Sequence, residues 1–308
     1  MKTLSIIIVS WNTRALLKAC LESVYASLIK LKRAELEIWV VDNQSTDGSA
    51  EMVADHFPEV NLIRSPENLG FAGGNNAGLR QAGGKYILLL NPDTVVQPGG
   101  LDLLVDFLEA HPRSGAAGSR YLNPDGSLQI STFPFPTVSR EIWRLLHLDR
   151  IYAYGIYDVS AWPLDTPHQV DIIQGASFMV RKAVLDQIGL MDERYFMYTE
   201  EIDLCYRIYQ AGWEITWVPG SQVVHYGGQS TVQVGEKMFL CLYQSKLQFF
   251  RKFYGPVKAA MYKGVLYFAS LLRVAMSFMA YLEKGEKRQR HLQLAQNYRR
   301  LIADLPGW

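Results

Sequence analysis

Lys85-Tyr86-Ile87-Leu88-Leu89-Leu90-Asn91-Pro92-Asp93-Thr94 is the stretch on which the reading of this chain turns. Ile87 to Leu90 is an apolar run of strand length and reads as a buried strand. Proline donates no hydrogen bond and disfavours helix at the residue before it, so the strand stops at Asn91-Pro92. Asp93 then stands just past the carboxyl end of a central strand, where open α/β sheets place their ligands. A carboxylate there can hold a divalent cation, and the cation a diphosphate. Asn-Pro-Asp is also ordinary turn chemistry. The chain contains its own control, because Asn123-Pro124-Asp125-Gly126 repeats the tripeptide. No apolar run leads into that copy and glycine follows at once, which is a hairpin or turn pattern. The strand in front of the first copy is what distinguishes it.

Upstream, strands alternate with helices. Leu4 to Val9 and Leu36 to Val41 are apolar strands, and Val60 to Ile63 is a shorter one. Arg14 to Leu28 carries Leu16, Leu17, Cys20, Leu21 and Val24 at helical spacing, and Ser49 to His56 is a second helix. The alternation predicts βαβ units and a mostly parallel sheet. The second strand runs into Asp42-Asn43-Gln44-Ser45-Thr46-Asp47-Gly48, a turn packed with acceptors. Asn68-Leu69-Gly70-Phe71-Ala72-Gly73-Gly74-Asn75-Asn76 precedes a helix expected from about Gly74 to Ala82. Its glycines allow close approach of backbone to a ligand, and a helix N-terminus can receive phosphate; flexible turn chemistry explains them equally well.

Downstream, a helix is expected over Leu101 to Ala110. Residues 119 to 169 are irregular and aromatic, with Phe133, Phe135, Trp143, Tyr152, Tyr154, Tyr157 and Trp162. They read mainly as a small satellite core, with an acceptor cleft as the alternative. Strand character returns around Gly175-Ala176, and Arg181 to Ile188 is a short helix closed by Gly189. Thr199 is a candidate helix cap with Glu200 and Glu201 in the first turn, and Asp203 and Arg207 are spaced for an i, i+4 ion pair. Adjacent carboxylates gain little from one helix dipole, so Glu200 and Glu201 ask for another explanation. Glu214 to Val218 is a last strand, followed by Val223-Val224-His225 and the pair Gly227-Gly228. A histidine leaving a sheet beside two glycines is a candidate metal ligand.

From about residue 236 the periodicity is helical to the end, giving a division into residues 1–235 and 236–308. The stretch from Gly255 to Arg290 is amphipathic and basic, and reads either as a membrane-surface element or as a helical cap or dimer contact. There is no span of about 20 apolar residues, so no membrane-crossing helix is expected. Met1-Lys2-Thr3 leads directly into a strand, without the pattern of a secretion signal. Cys20, Cys205 and Cys241 are widely spaced and read as core thiols of a reducing compartment, so the chain is expected in the cytoplasm. With 31 Lys and Arg against 30 Asp and Glu, global charge does not argue for a nucleic-acid partner.

Taken in order, these motifs resemble family 2 glycosyltransferases, especially the rhamnosyltransferase-like branch that builds bacterial cell-surface polysaccharides. The resemblance covers about residues 4 to 231. It implies the GT-A fold, a Rossmann-like sheet flanked by helices, here with a C-terminal helical extension. It also implies an inverting transfer from a nucleotide-diphosphate sugar, with dTDP-rhamnose favoured, to a saccharide or polyprenyl-linked acceptor. Mg2+ or Mn2+ would be held by Asp93 and His225. Nucleotide contacts would come from Ser10, Asn12, Asp42, Asn68, Gly73, Asn76 and Asn91, with Asn91 in a slot that is aspartate in the full Asp-x-Asp motif. The general base would be Glu201, where the family carries aspartate, with Glu200 as the competing choice. Such enzymes often associate with the inner face of the membrane, consistent with an anionic lipid surface as partner. The rival readings are a catalytically impaired module on the same fold and a nucleotidyltransferase. The latter would carry a basic, glycine-rich loop near the N-terminus, where this chain has Ser10-Trp11-Asn12-Thr13-Arg14.

Overall fold

The computed structural model describes residues 2–228, 235–278 and 283–308. In chain order, the first half runs β1 (Leu4–Ser10), α1 (Arg14–Ala26), β2 (Leu36–Asp42), α2 (Ser49–His56), β3 (Asn61–Arg64), α3 (Gly70–Leu79), β4 (Tyr86–Leu90), β5 (Thr94–Val96), α4 (Gly100–Ala110) and β6 (Ser114–Leu122). Two short strands follow, β7 (Leu128–Gln129) and β8 (Thr132–Phe133), then α5 (Val138–Leu145). Next come β9 (His168–Gln169), β10 (Ile172–Ile173), β11 (Ser177–Arg181), α6 (Lys182–Ile188), α7 (Glu200–Gln210) and β12 (Glu214–His225). The chain ends in α8 (Gly235–Met276) and α9 (Gly285–Asp304).

These elements form two compact units, one of Met1–Phe135 with Tyr157–Gln233 and the other of Pro136–Ile156 with Val234–Trp308. The first unit is built on a sheet of order β3-β2-β1-β4-β11-β6-β12-β5. From β3 to β4 all neighbours are parallel, as the strand–helix alternation predicts. Beyond β4 the sheet is mixed, since β11 is antiparallel to both β4 and β6. β12 runs parallel to β6 and antiparallel to β5. Every residue of β4 is buried, which its unbroken apolar run requires of a strand covered on both faces.

Of the strands that the sequence pattern did not reveal, β6 is the longest. Its residues Ser114-Gly115-Ala116-Ala117-Gly118-Ser119 carry no apolar bulk, yet all six are buried. Their smallness is what the packing uses. A Cβ on Gly118 would lie 2.3 Å from Ile173 Cγ2, and one on Gly115 would lie 2.8 Å from Trp213 Cβ. On the other face, Ser119 Oγ bonds Ser177 Oγ and Ser221 Oγ, each at 2.8 Å, tying β6 to both neighbours.

Helix α3 begins at Gly70, four residues before the sequence-based expectation. Two of its glycines, Gly74 and Gly78, face the sheet. A Cβ on Gly74 would meet Val9 Cγ1 at 2.7 Å, and one on Gly78 would meet Ile7 Cγ2 at 2.6 Å. The glycine pattern thus serves close packing of helix on strand at these two positions.

The second unit packs α5, α8 and α9 around Tyr243, Leu247, Phe250, Tyr262, Leu266, Tyr298 and Leu301. Helix α8 breaks at Gly255, whose φ of 81° and ψ of 175° are non-helical, and Pro256 follows. Buried Glu141 pairs with Lys246 at 2.8 Å. The aromatic stretch of the sequence therefore divides. Phe133, Phe135, Tyr157 and Trp162 join the core of the first unit. Trp143, Tyr152 and Tyr154 belong to the second, where the Trp143 indole donates to the Tyr152 carbonyl at 2.8 Å.

Gly118→Ala is expected to destabilise the protein by about 1–3 kcal/mol, since the new methyl must displace Ile173 in a filled core. Gly126→Ala, at a turn with open space around it but a φ of 82°, should cost about 1 kcal/mol from backbone strain alone. Urea midpoints measure both; equal losses would mean that β10 yields freely above β6.

Candidate functional site

Asp93 is 6% exposed and sits between β4 and β5, as the apolar run and Pro92 imply. His225 is the last residue of β12, and β5 and β12 pair with His225 opposite Thr94. The Tyr226 amide donates to the Asp93 carbonyl at 3.0 Å. This ladder brings residues distant in sequence together, with His225 Nε2 at 3.5 Å from Asp93 Oδ1. The imidazole Nδ1 contacts Gln129 Oε1 at 2.6 Å, and the ring stands edge-on to Tyr121 at 5.6 Å between centroids. Nε2 is buried and has no hydrogen-bond partner, as is the case for Asn91 Oδ1 nearby in sequence. Asp93 and His225 fit a divalent cation on this observation, because their two facing atoms can both be acceptors and neither is satisfied by a protein donor. Ligands each about 2.1 Å from one cation lie within about 4 Å of each other, a condition the pair meets. Among the described residues no cluster of three or more His, Cys, Asp or Glu exists to hold a metal, so further ligands would come from outside the chain or from other residue types.

The predicted nucleotide residues separate into two groups. Asp42 ends β2 and is 5% exposed; its Oδ2 accepts the Ser45 amide at 3.1 Å, while its buried Oδ1 has no partner. Asn91 likewise keeps an unused buried oxygen. The others are committed within the protein. Ser10 Oγ meets Thr13 Oγ1 at 2.9 Å. Asn12, in the left-handed region at φ 52°, accepts the Thr46 amide at 2.8 Å and so holds the turn after β2 against the turn after β1. Asn68 Oδ1 accepts from the Gly70 amide at 2.9 Å. Gly73 lies in the first turns of α3, where a Cβ would come within 3.0 Å of Leu69 Cβ. Asn76 donates to the Met191 carbonyl and Glu193 Oε1, both at 2.8 Å, and accepts the Met191 amide at 3.0 Å. Asn43, not singled out in the sequence, joins these loops. Its amide donates to the Gly70 carbonyl at 2.9 Å, and its oxygen accepts the Leu69 amide at 3.2 Å.

Helix α7 begins at Glu200, preceded by Tyr198 at φ 66° and Thr199 at φ 75°. Two consecutive non-glycine residues in the left-handed region cost on the order of 1–3 kcal/mol each, so surrounding structure must hold them there. Thr199 occupies the cap position, but its side chain makes no capping bond, contrary to the sequence expectation; with φ positive the hydroxyl is buried and unpartnered. The helix itself is anchored further along. Asp203 is fully buried and accepts from Arg207 Nε at 2.7 Å, the expected ion pair. Arg207 also donates to the carbonyls of Ile188 and Leu190, each at 2.8 Å, fastening α7 to the loop after α6.

The two glutamates are not equivalent. Glu200 is 3% exposed, and burial, reinforced by the neighbouring Glu201 charge, holds its carboxyl well above the usual carboxylate range. Glu201 is half-buried. The Glu201 charge adds to burial in pushing the Tyr121 phenol up. The Tyr121 ring stands edge-on to His225, and its hydroxyl donates to the Gln174 carbonyl at 2.6 Å. Neither Tyr121 nor Gln129 was legible beforehand, since both lie in the region read as irregular.

The family model of Glycosyl transferase family 2 matches residues 5–189, more than half of the chain. The chain belongs to that family. An N-acetylglucosaminyl-diphospho-decaprenol L-rhamnosyltransferase of Mycobacterium tuberculosis is 30% identical over 230 residues, covering 68% of this chain and 73% of the relative. Rhamnosyltransferase WbbL of Escherichia coli is 26% identical over 245 residues, covering 76% and 87%. The mannosyltransferase PcManGT from Pyrobaculum calidifontis, solved with GDP-Man and Mn2+, superposes with a TM-score of 0.57 at 16% identity, covering 98% of this chain and 86% of that one. The fold is accordingly GT-A. The matched region takes in Asp42, Asn91 and Asp93, whereas Glu200, Glu201 and His225 lie beyond it.

In this glycosyltransferase the raised Glu200 carboxyl carries a pH signature. A carboxyl whose folded pKa is raised favours folding at low pH, and that contribution is lost as pH rises through the folded value. Glu200→Gln should therefore leave the melting temperature nearly unchanged in acid and raise it by a few degrees above neutrality. A variant equally or less stable than the parent above neutrality would show that Glu200 is accommodated as an anion.

Proposed function

We propose that this glycosyltransferase moves rhamnose from dTDP-rhamnose to a polyprenyl-diphosphate-linked sugar, with inversion and with a divalent cation. The observation that carries the reading is the approach of Asp93 to the unpartnered His225 Nε2 at the carboxyl end of the sheet. The rhamnosyltransferase activities of the two relatives suggest the sugar, and that of the mycobacterial one suggests the acceptor class. Asp93 and His225 would hold Mg2+ or Mn2+, which would neutralise the charge gathering on the departing diphosphate. Asp42, with its spare buried oxygen, would receive the base or ribose of the donor.

The chemistry is one in-line displacement. The acceptor oxygen forms a bond to the anomeric carbon as the bond from that carbon to the diphosphate oxygen breaks. The acceptor proton passes to Glu201, whose carboxylate is the general base. Glu200 is a poorer candidate because its burial favours the protonated form, which cannot accept a proton. It would support the helix start instead.

Activity is expected to vanish in excess EDTA and to return with Mn2+ or Mg2+. Glu201→Gln should lower kcat by about 10²–10⁴ while nucleoside diphosphate binding stays unchanged. Normal turnover by Glu201→Gln together with an inactive Glu200→Gln would transfer the base role to Glu200. Product analysis with dTDP-rhamnose and a lipid-linked acceptor tests the donor. Tight binding of UDP with no response to dTDP would move the donor to a UDP-sugar.

We also place the enzyme at the cytoplasmic face of the membrane, held by part of the stretch from Gly255 to Arg290, of which residues 279–282 lie outside the described ones. No helix among the described residues is long and apolar enough to cross a bilayer. Support comes from Val257, Met261, Phe268, Leu272 and Met276, which are exposed and recur at helical spacing along α8 beyond its break, with exposed Lys258 on the same segment. An apolar stripe with basic residues suits an anionic lipid surface. Replacing Phe268 and Leu272 together with glutamate should release the protein from phosphatidylglycerol-containing liposomes in a flotation assay. Unchanged flotation would assign the stripe to contact with protein.

A further inference from the structure

The second Asn-Pro-Asp copy, dismissed by its sequence context as a plain turn, leads to Gln129. Asn123 to Gly126 closes the β6–β7 hairpin: the Asn123 amide donates to the Ser127 carbonyl at 2.8 Å, and Gly126 takes a φ of 82°. The register sets Tyr121 directly opposite Gln129, so the two side chains share one face of the hairpin. Both reach the His225 imidazole, Tyr121 with its ring and Gln129 with its amide oxygen.

The orientation of the Gln129 amide follows from its other contacts. Its NH2 donates to the Asn123 side-chain oxygen at 3.0 Å and to the His225 carbonyl at 3.1 Å. Both of those atoms are acceptors only, so the nitrogen must face them and the oxygen must face the ring. An amide oxygen cannot donate, so the contact of 2.6 Å requires a proton on His225 Nδ1. A neutral imidazole with its proton on Nδ1 has a bare lone pair on Nε2. That lone pair is the atom facing Asp93.

We infer that Gln129 is a positioning residue that keeps the His225 proton on Nδ1 and thereby leaves Nε2 open to the cation. This rests on the assignment of Asp93 and His225 as cation ligands. Without Gln129 the proton can move to Nε2, where the Asp93 carboxylate accepts it, and the pair closes on itself. An Nε2–H pointing at the carboxylate would occupy the direction a cation needs. Gln129 competes with Asp93 for one proton, and the hairpin turn gives it the geometry to win.

Histidine-selective 15N labelling of the full chain, read by long-range 1H–15N correlation at about pH 8, above the ordinary range of imidazole, reports the tautomer directly. His225 is assigned by loss of its signals in His225→Ala. The expected wild-type spectrum has Nδ1 protonated and Nε2 bare without any metal present. A proton on Nε2 in the wild type overturns the inference. In Gln129→Leu the proton should shift toward Nε2, and Mn2+ affinity, titrated by electron paramagnetic resonance with dTDP and separately with UDP, should fall about 10–100-fold. Gln129→Glu keeps an acceptor for Nδ1–H and should recover most of that loss. Asn123→Ala, which frees the amide without removing it, should fall between. Mn2+ affinity in Gln129→Leu equal to wild type would also overturn the inference. Should wild type show the Nδ1–H tautomer yet take up no Mn2+, the cation reading fails while the role of Gln129 in fixing the ring stands.

Discussion

The ladder between β5 and β12 is the constraint on which the site depends. A strand of three residues, Thr94–Val96, pairs with the end of a strand of twelve, and this alone sets His225 beside Asp93. Backbone bonds fix the separation of two paired strands to within a fraction of an ångström, which side-chain packing alone does not do. The β12 strand can reach β5 because it is also paired along its length with β6. A strand of small residues in the middle of the sheet thus supports contact between two functional side chains at its edge.

The parts of the fold visible in the sequence were those where apolar residues are continuous or periodic. β1, β2 and β4 are runs of large aliphatic residues, and their positions agree with the structure to within a residue. β6 escaped because its burial is achieved by subtraction: Gly118 and Gly115 leave free the space that Ile173 and Trp213 occupy. Hydrophobicity marks residues that bring bulk to a core and is silent about residues that make room for it. The same blindness hid a third role for the glycines of α3, since Gly74 and Gly78 lie against Val9 and Ile7.

The candidate site divides along a similar line. Asp42, Asp93, Glu200, Glu201 and His225 stand at the ends of elements, where local patterns announce them. The residues that hold them do not. Asn43 ties the loop after β2 to the start of α3, Arg207 anchors the acidic helix through three carbonyl oxygens, and Tyr121 stands edge-on against the imidazole. Each acts across a gap in sequence that only the folded chain closes. The resemblance proposed residues for the chemistry, but the burial that separates Glu200 from Glu201 is a property of three dimensions.

The two glycines beneath α3 also set a height. With no side chain between helix and sheet at Gly74 and Gly78, the helix axis rests nearer to β1 than alanine would permit. The first residue of that helix, Gly70, gives its carbonyl to Asn43 at the end of β2. Its own backbone leaves no room for a Cβ, which would fall 2.1 Å from the Phe196 carbonyl oxygen. A methyl group at Gly74 or Gly78 would act as a shim. Lifting the helix would stretch the Asn43 contacts and separate the turn after β2 from the loop beside it, although neither turn had changed in sequence. The spacing of the two loops is therefore set in part by side-chain atoms that α3 lacks.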